Sequence, residues 1–279
     1  MRQIRAEQIT AAVANLCIEA NCHLSQDITA RLNDMHARET WPQAKEILER
    51  IIENYQIADR ENVPVCQDTG MACVFLKIGQ DVHVLGDITE AVNEGVRRGY
   101  AEGYLRKIVV RDPLDRVNTG DNTPAMLYVE LVPGDIIEIT VAPKGFGSEN
   151  MSGIKMLRPS DGVQGVKDFV LKVVEDAGPN PCPPIVVGVG IGGTFEKAAQ
   201  LSKFALMRDV GSHNADERYA KLEDELMARI NALNIGPAGL GGSTTALGVH
   251  VEWFPTHIAG LPVAVNLCCH AYRHSSVTL

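Results

Sequence analysis

The sequence has no long apolar run and no surplus of basic residues, and its start is not expected to be a secretory leader; each reading removes a class of protein. No stretch approaches the roughly 20 apolar residues of a membrane helix, and the polar start Met1-Arg2-Gln3-Ile4-Arg5 is unlike a leader. The cytoplasm is therefore the expected compartment. Lys and Arg total 26 against 35 Asp and Glu, a net charge of −9. Nucleic-acid binding is not expected of such a chain, because phosphate recognition concentrates cations. A locally positive pocket for a small anion is compatible with it. Seven cysteines, odd in number and irregular in spacing, do not make a disulfide framework. Reduced thiols, some of them ligands, fit better. Repeats, low-complexity tracts and linkers are also missing, so we expect one domain over residues 1–279, in one lobe or two.

What is present reads as a mixture of helices and strands. Ile9, Val13, Leu16, Cys17 and Ala20 recur at helical spacing, Ser25 and Asp27 suit the cap of a second helix, and residues 41–58 form a third amphipathic pattern. Further helices are predicted at 88–100, 162–177, 195–207 and 216–233, with strands at 72–78, 105–113, 185–187, 246–253 and 263–267. Residues 126–132 and 135–141 alternate around Pro133-Gly134 and predict an antiparallel hairpin. The expected class is α+β, with mostly antiparallel sheets.

The chain is organised around Val63-Pro64-Val65-Cys66-Gln67-Asp68-Thr69-Gly70. A thiolate is a soft ligand for iron or zinc, and an amide and a carboxylate beside it can hydrogen-bond, or exchange a proton with, a bound molecule. A buried structural cysteine fits the same stretch taken alone. Cys182 stands among prolines in Pro181-Cys182-Pro183-Pro184, and Cys268-Cys269-His270 ends a strand. Cys17, Cys22 and Cys73 read as packing residues. Residues 144–153 hold three glycines whose amides could cradle an anion, with a mobile surface loop as the plain alternative. Gly188-x-Gly190-x-x-Gly193 with Asp209 downstream has the form of a dinucleotide fingerprint. No second strand ends at Asp209, so a tight turn beside a ligand is the better reading. Residues 236–245 lack the lysine of a phosphate loop. Three distant thiolates would leave one iron of a cubane open as a Lewis acid. Zinc with three thiolates, and purely structural cysteines, also fit the pattern.

Five motifs in order carry a resemblance: Val65 to Gly70, Lys144-Gly145-x-Gly147-Ser148-Glu149-Asn150, Cys182-Pro183-Pro184 with Gly190 to Thr194, Gly239 to Thr245, and His257 through Cys269. Together the chain resembles the class I, iron-sulfur-dependent fumarate hydratases, and among them the alpha subunits of the two-subunit form. The alpha subunits of L-tartrate dehydratase are near relatives of these. The resemblance implies a 4Fe-4S cluster held by Cys66, Cys182 and Cys269, with Cys269 preferred to Cys268 because it stands two before Ala271. It implies catalytic roles for Asp68 and His257, and substrate contacts from Gln67, Asp68, Arg106, Gly147 and Asn150. Lys107 and Arg111 leave the register of Arg106 open. The implied reaction is reversible hydration of fumarate to L-malate, a tricarboxylic acid cycle step, with dehydration of tartrate to oxaloacetate as the alternative. A noncatalytic zinc-binding assembly protein is the reading from another class. Single-chain members continue into a second domain that supplies further substrate contacts, whereas this chain stops ten residues after Cys269. A separate beta subunit and an alpha2-beta2 assembly are therefore expected, with a small dicarboxylate as substrate.

Overall fold

In a computed structural model of the protein, residues 2–279 are described. In chain order they form Arg2–Arg5 (β1), Ala6–Cys22 (α1), Gln26–Arg38 (α2), Pro42–Glu61 (α3), Met71–Gly79 (β2), Val82–Leu85 (β3), Ile88–Glu102 (α4), Met126–Val132 (β4), Ile137–Lys144 (β5), Phe146–Glu149 (α5) and Gly153–Leu157 (β6). There follow Gly162–Ala177 (α6), Ile185–Gly192 (β7), Phe195–Ala205 (α7), Glu217–Asn231 (α8), Ala246–Phe254 (β8), Leu261–Cys268 (β9) and Ser275–Thr278 (β10). The fold is α+β, and its sheets are mixed: among the described residues four of the seven strand pairings are antiparallel and three are parallel. No described helix is long and apolar enough to cross a membrane.

The chain divides into two units, each assembled from separate stretches. The first comprises the residues up to Ser25, Tyr55–Gly145 and Arg273–Leu279; the second comprises Gln26–Asn54 and Phe146–Tyr272.

In the first unit, β2 is a central strand with β5 antiparallel on one side and β4 parallel on the other. Its alternate residues Ala72, Val74, Leu76 and Ile78 join Ile9, Val13 and Leu16 of α1 and Val92 and Val96 of α4 in one apolar core. Each Val, Leu or Ile among them contributes roughly 1.5–3 kcal/mol on burial. The expected hairpin does not form, because β2 lies between β4 and β5. Both strands were readable from their alternation, but the nearly continuous burial of β2 makes it the better partner for each. The connection around Pro133-Gly134 instead crosses the end of β2, where the amides of Gly79, Gln80 and Asp81 donate to the carbonyls of Ile136, Val132 and Gly134 at 2.8–2.9 Å. The strand expected at 105–113 is also absent. Two of its amides are satisfied by a side chain, Oδ1 of Asn122 accepting from Ile108 at 2.8 Å and Val109 at 3.3 Å.

In the second unit, the sheet runs β6-β9-β7-β8, and all eight residues of β7 are buried. Ile185, Val187, Val189 and Ile191 pack with α6 and α8 in one cluster. The opposite face carries α7, which comes so close that a Cβ on Gly188 would lie 2.2 Å from the Ser202 carbonyl oxygen and one on Gly190 would lie 2.1 Å from that of Ala198. These glycines belong to a strand interior pressed on a helix backbone. The expected ligand-facing turn is corrected accordingly, and the dinucleotide fingerprint has its explanation in packing.

Candidate active site

The Cys66 loop leads from α3 into β2, and the core of the first unit holds it through buried polar side chains. The hydroxyl of Tyr100 donates to the carbonyls of Thr69 and Gly70 at 2.7 and 2.8 Å, and Nδ2 of Asn122 donates to the Gly70 carbonyl at 3.2 Å. On the approach to Cys66, the Val65 amide donates to the carbonyl of Asn21 at 2.9 Å, and Asn21 is itself buried in α1. The Asp68 carboxylate accepts from the Gly70 amide at 3.0 Å, closing a tight turn. Cys66 and Asp68 are half-buried and Gln67 is exposed, so two polar groups and a thiol share one short solvent-reachable segment. Arg106 joins this segment through its backbone, its carbonyl accepting from Oγ1 of Thr69 at 2.9 Å, and its side chain is exposed.

Arg273 is a residue that sequence reasoning missed. It is only 3% exposed, and its Nη1 donates to Oδ1 of Asn21 at 3.0 Å. A Cβ placed on Gly145 would stand 3.6 Å from its Nη2 and 3.0 Å from Oδ2 of Asp68. A buried guanidinium and the candidate proton-transfer carboxylate thus flank one glycine. Nothing local in the sequence marks Arg273, since burial of a charged residue is a tertiary property.

In the second unit, the turns bearing Cys182 and Cys269 meet at one end of the β7/β9 ladder. Cys182 lies three residues before β7, Cys268 ends β9, Val186 pairs with Cys268, and the His270 amide donates to the Cys182 carbonyl at 3.3 Å. Cys182 is exposed and Cys269 half-buried, whereas Cys268, the last residue of β9, is buried. The 146–152 loop is built against the same end. Gly147 approaches the Asn180 carbonyl, 3.5 Å from a would-be Cβ, two residues before Cys182. Glu149 accepts from Nζ of Lys203 at 2.5 Å and from Nδ2 of Asn266 at 2.9 Å, and Oγ of Ser152 accepts from the Leu267 amide at 3.1 Å. This is a pinned loop, not a mobile one. The amides of Asn150, Met151 and Ser152 are engaged by the carbonyls of Phe146, Ser148 and Glu149. Asn150 is exposed.

His257 stands elsewhere. It lies on the β8–β9 connection, beyond the Gly192–Phe254 pair, at the opposite end of β7 from Cys182. Eight strand residues at about 3.3 Å each separate the two ends by roughly 26 Å. Its Nδ1 accepts from the Ala259 amide at 3.1 Å.

All seven cysteines are thiols, with no disulfide between them. Burial pushes the Cys17 thiol up to about 12 and raises that of Cys22, so these two disfavour the thiolate that a metal needs. Cys66, Cys182 and Cys269 are the three with exposed or half-buried side chains. Each is a soft, reachable thiol in a strand-end turn, Cys66 in the first unit and Cys182 with Cys269 in the second, and thiols of this kind are the donors that an iron-sulfur cluster takes. Among the described residues no three His, Cys, Asp or Glu side chains form a metal site; a cubane takes each thiolate on a different iron, so three thiolates that share one must converge on a single cluster.

The family description fumarate hydratase (Fumerase) matches residues 10–278, and the chain belongs to this family of hydro-lyases, on its class I, alpha-subunit side. It is 44% identical over 276 residues to a putative L(+)-tartrate dehydratase subunit alpha of Methanocaldococcus jannaschii, covering 96% of each chain. It is 34% identical over 280 residues to the L(+)-tartrate dehydratase subunit alpha of Escherichia coli K12, covering 99% of this chain and 92% of the relative, and the same figures hold for that of Shigella sonnei.

Proposed function

We propose that the chain is the alpha subunit of an iron-sulfur hydro-lyase that dehydrates a four-carbon hydroxy-dicarboxylic acid, L(+)-tartrate ahead of L-malate. The observation that carries this reading is the 44% identity, over 96% of both chains, to a relative named for tartrate. The second reading, fumarate and L-malate, draws on the family description. Cys66, Cys182 and Cys269 would hold a 4Fe-4S cluster, whose chemistry is Lewis acidity at an iron that no protein thiolate occupies.

The chain's own residues supply the rest. Asp68, turned by the Gly70 amide, is positioned to take or give the proton at the carbon next to the hydroxyl-bearing one. Gln67 donates to a substrate oxygen, and the exposed Arg106 pairs with a carboxylate. Gly147 and Asn150 form the wall beside Cys182. His257, at the far end of its sheet, does not serve Cys182 and Cys269 within one copy of the chain. The relatives are named as alpha subunits, which supports a separate beta chain; in our reading that chain completes the pocket, in an alpha2-beta2 assembly.

The test is anaerobic co-purification with the candidate beta chain, with iron, acid-labile sulfide and turnover of L(+)-tartrate and L-malate recorded. A kcat/KM for tartrate on the order of tenfold above malate, about 1.4 kcal/mol of discrimination, supports the first reading. A preference for malate moves the assignment to the second. Zinc without sulfide would overturn both, and full turnover by alpha alone would end the partner proposal.

A further inference from the structure

Glu39 is an acidic residue only 3% exposed, at the corner between α2 and α3, far in sequence from every motif above. Its Oε2 accepts from the Ser243 amide and hydroxyl at 2.9 and 3.0 Å and from the Thr244 amide and hydroxyl at 3.1 and 2.9 Å. Its Oε1 accepts from the amides of Thr40 and Trp41 at 3.0 and 3.1 Å, at the start of α3 where a negative charge is favoured. Six donors on one carboxylate amount to full satisfaction of a buried anion.

The glycine loop that Glu39 grips is the wall behind Cys182. The Ala238 amide donates to the Pro183 carbonyl at 2.8 Å, next to the cysteine, and the Ile185 amide donates to the Thr245 carbonyl at 2.9 Å, three residues beyond it. Gly239, at φ +76°, lies so close that a Cβ would stand 2.3 Å from Cβ of Pro179, whose carbonyl accepts from the Cys182 amide at 3.1 Å. Cys182 itself is held at φ +55°, a left-handed conformation that a non-glycine residue keeps only under outside constraint.

We propose that Glu39 is the positioning residue for Cys182: through Ser243 and Thr244 it fixes the glycine loop, and the loop fixes the thiol. This deepens the functional reading above, on which the meaning of Cys182 as a ligand rests. Reading the reduced, metal-free protein keeps the two ideas separable. Glu39→Gln keeps the volume but replaces an acceptor oxygen with a donor facing donors. Alkylation of Cys182 by iodoacetamide, followed by peptide mass spectrometry, and hydrogen exchange of residues 236–245 should both speed up. One lost charge-assisted hydrogen bond corresponds to about tenfold in local opening. Cys66 should label as before, and the buried Cys17 and Cys73 should stay protected. Ser243→Ala, which removes one hydroxyl donor and leaves the carboxylate, should give a smaller change of the same kind. On anaerobic reconstitution with iron and sulfide, the Gln variant should hold less cluster than the parent.

Unchanged Cys182 labelling with a loosened 243–244 segment would overturn the proposal, and so would equal exposure of Cys17 and Cys73, which would mean general unfolding. If the parent takes up no iron while Glu39→Gln still loosens Cys182, the functional reading fails and the positioning role stands.

Discussion

The two four-stranded sheets run through the same series of pairings. β10-β5-β2-β4 and β6-β9-β7-β8 each pass antiparallel, antiparallel, parallel, and in each the strand with one neighbour of either kind is entered from a cysteine-bearing turn. What differs is cover. β2 has helices on one face and on the other shows Lys77, paired with Glu138 at 2.9 Å, and Phe75, stacked on Tyr128. β7 is enclosed on both faces. The entry turns are correspondingly held in different ways: polar side chains rising from a one-sided core bond directly to the backbone after Cys66, whereas prolines, glycines and backbone hydrogen bonds hold the Cys182 turn, with the Glu39 carboxylate one step removed behind the glycine loop. A ladder pattern therefore does not decide how rigidly a turn is kept; the layers around it do.

The comparison breaks first where cover is tightest. Gly190→Ala drives a methyl into the α7 backbone and is expected to cost more than about 3 kcal/mol, read as a lowered urea midpoint. A midpoint unchanged from the parent would mean that α7 lifts freely and that the enclosed face is not rigid. His250, in the enclosed sheet, is next. Burial, reinforced by the charge of Arg208, lowers it to about 4 from an ordinary 6.5. The unfolded chain therefore takes the proton first as pH falls. The stabilisation is complete above pH 6.5 and is lost between 6.5 and about 4, to the extent of roughly 3 kcal/mol. Urea midpoints across that window should fall in the parent and stay flatter in His250→Leu.

On the one-sided unit the effects are smaller. Tyr100→Phe removes the hydroxyl that holds Thr69 and Gly70 and should cost about 1–2 kcal/mol. It should raise Cys66 alkylation and leave Cys182 alone; equal changes at both thiols would erase the distinction between the two anchoring schemes. Least is expected of Lys77→Ala on the open face, below about 0.5 kcal/mol and weaker still in salt, because the pair is half-exposed.

The α+β class and most helices were readable from periodicity, because an amphipathic helix such as α1 carries its burial pattern within itself: Ile9, Val13, Leu16, Cys17 and Ala20 are all buried. The thiols to single out were also readable, since turn chemistry sits beside them in the chain. Partnerships were not. Nothing in residues 126–141 says that β2, some fifty residues earlier, will separate two strands joined by a short turn. The buried carboxylate of Glu39 and guanidinium of Arg273 were invisible for the same reason, because desolvation depends on what arrives from elsewhere. Gly188 and Gly190 misled by form, a backbone contact with α7 imitating a ligand-binding turn.

By itself, the sequence determined most helices, the longer strands and where the cysteine-bearing turns and their polar neighbours stand, because those follow from side-chain period and local turn preference. Only the tertiary structure decided which strands pair, that the turns of Cys182 and Cys269 meet while His257 lies at the far end of the same sheet, and which charges are enclosed. Those outcomes depend on contacts between residues distant in the chain, whose energies no local pattern contains.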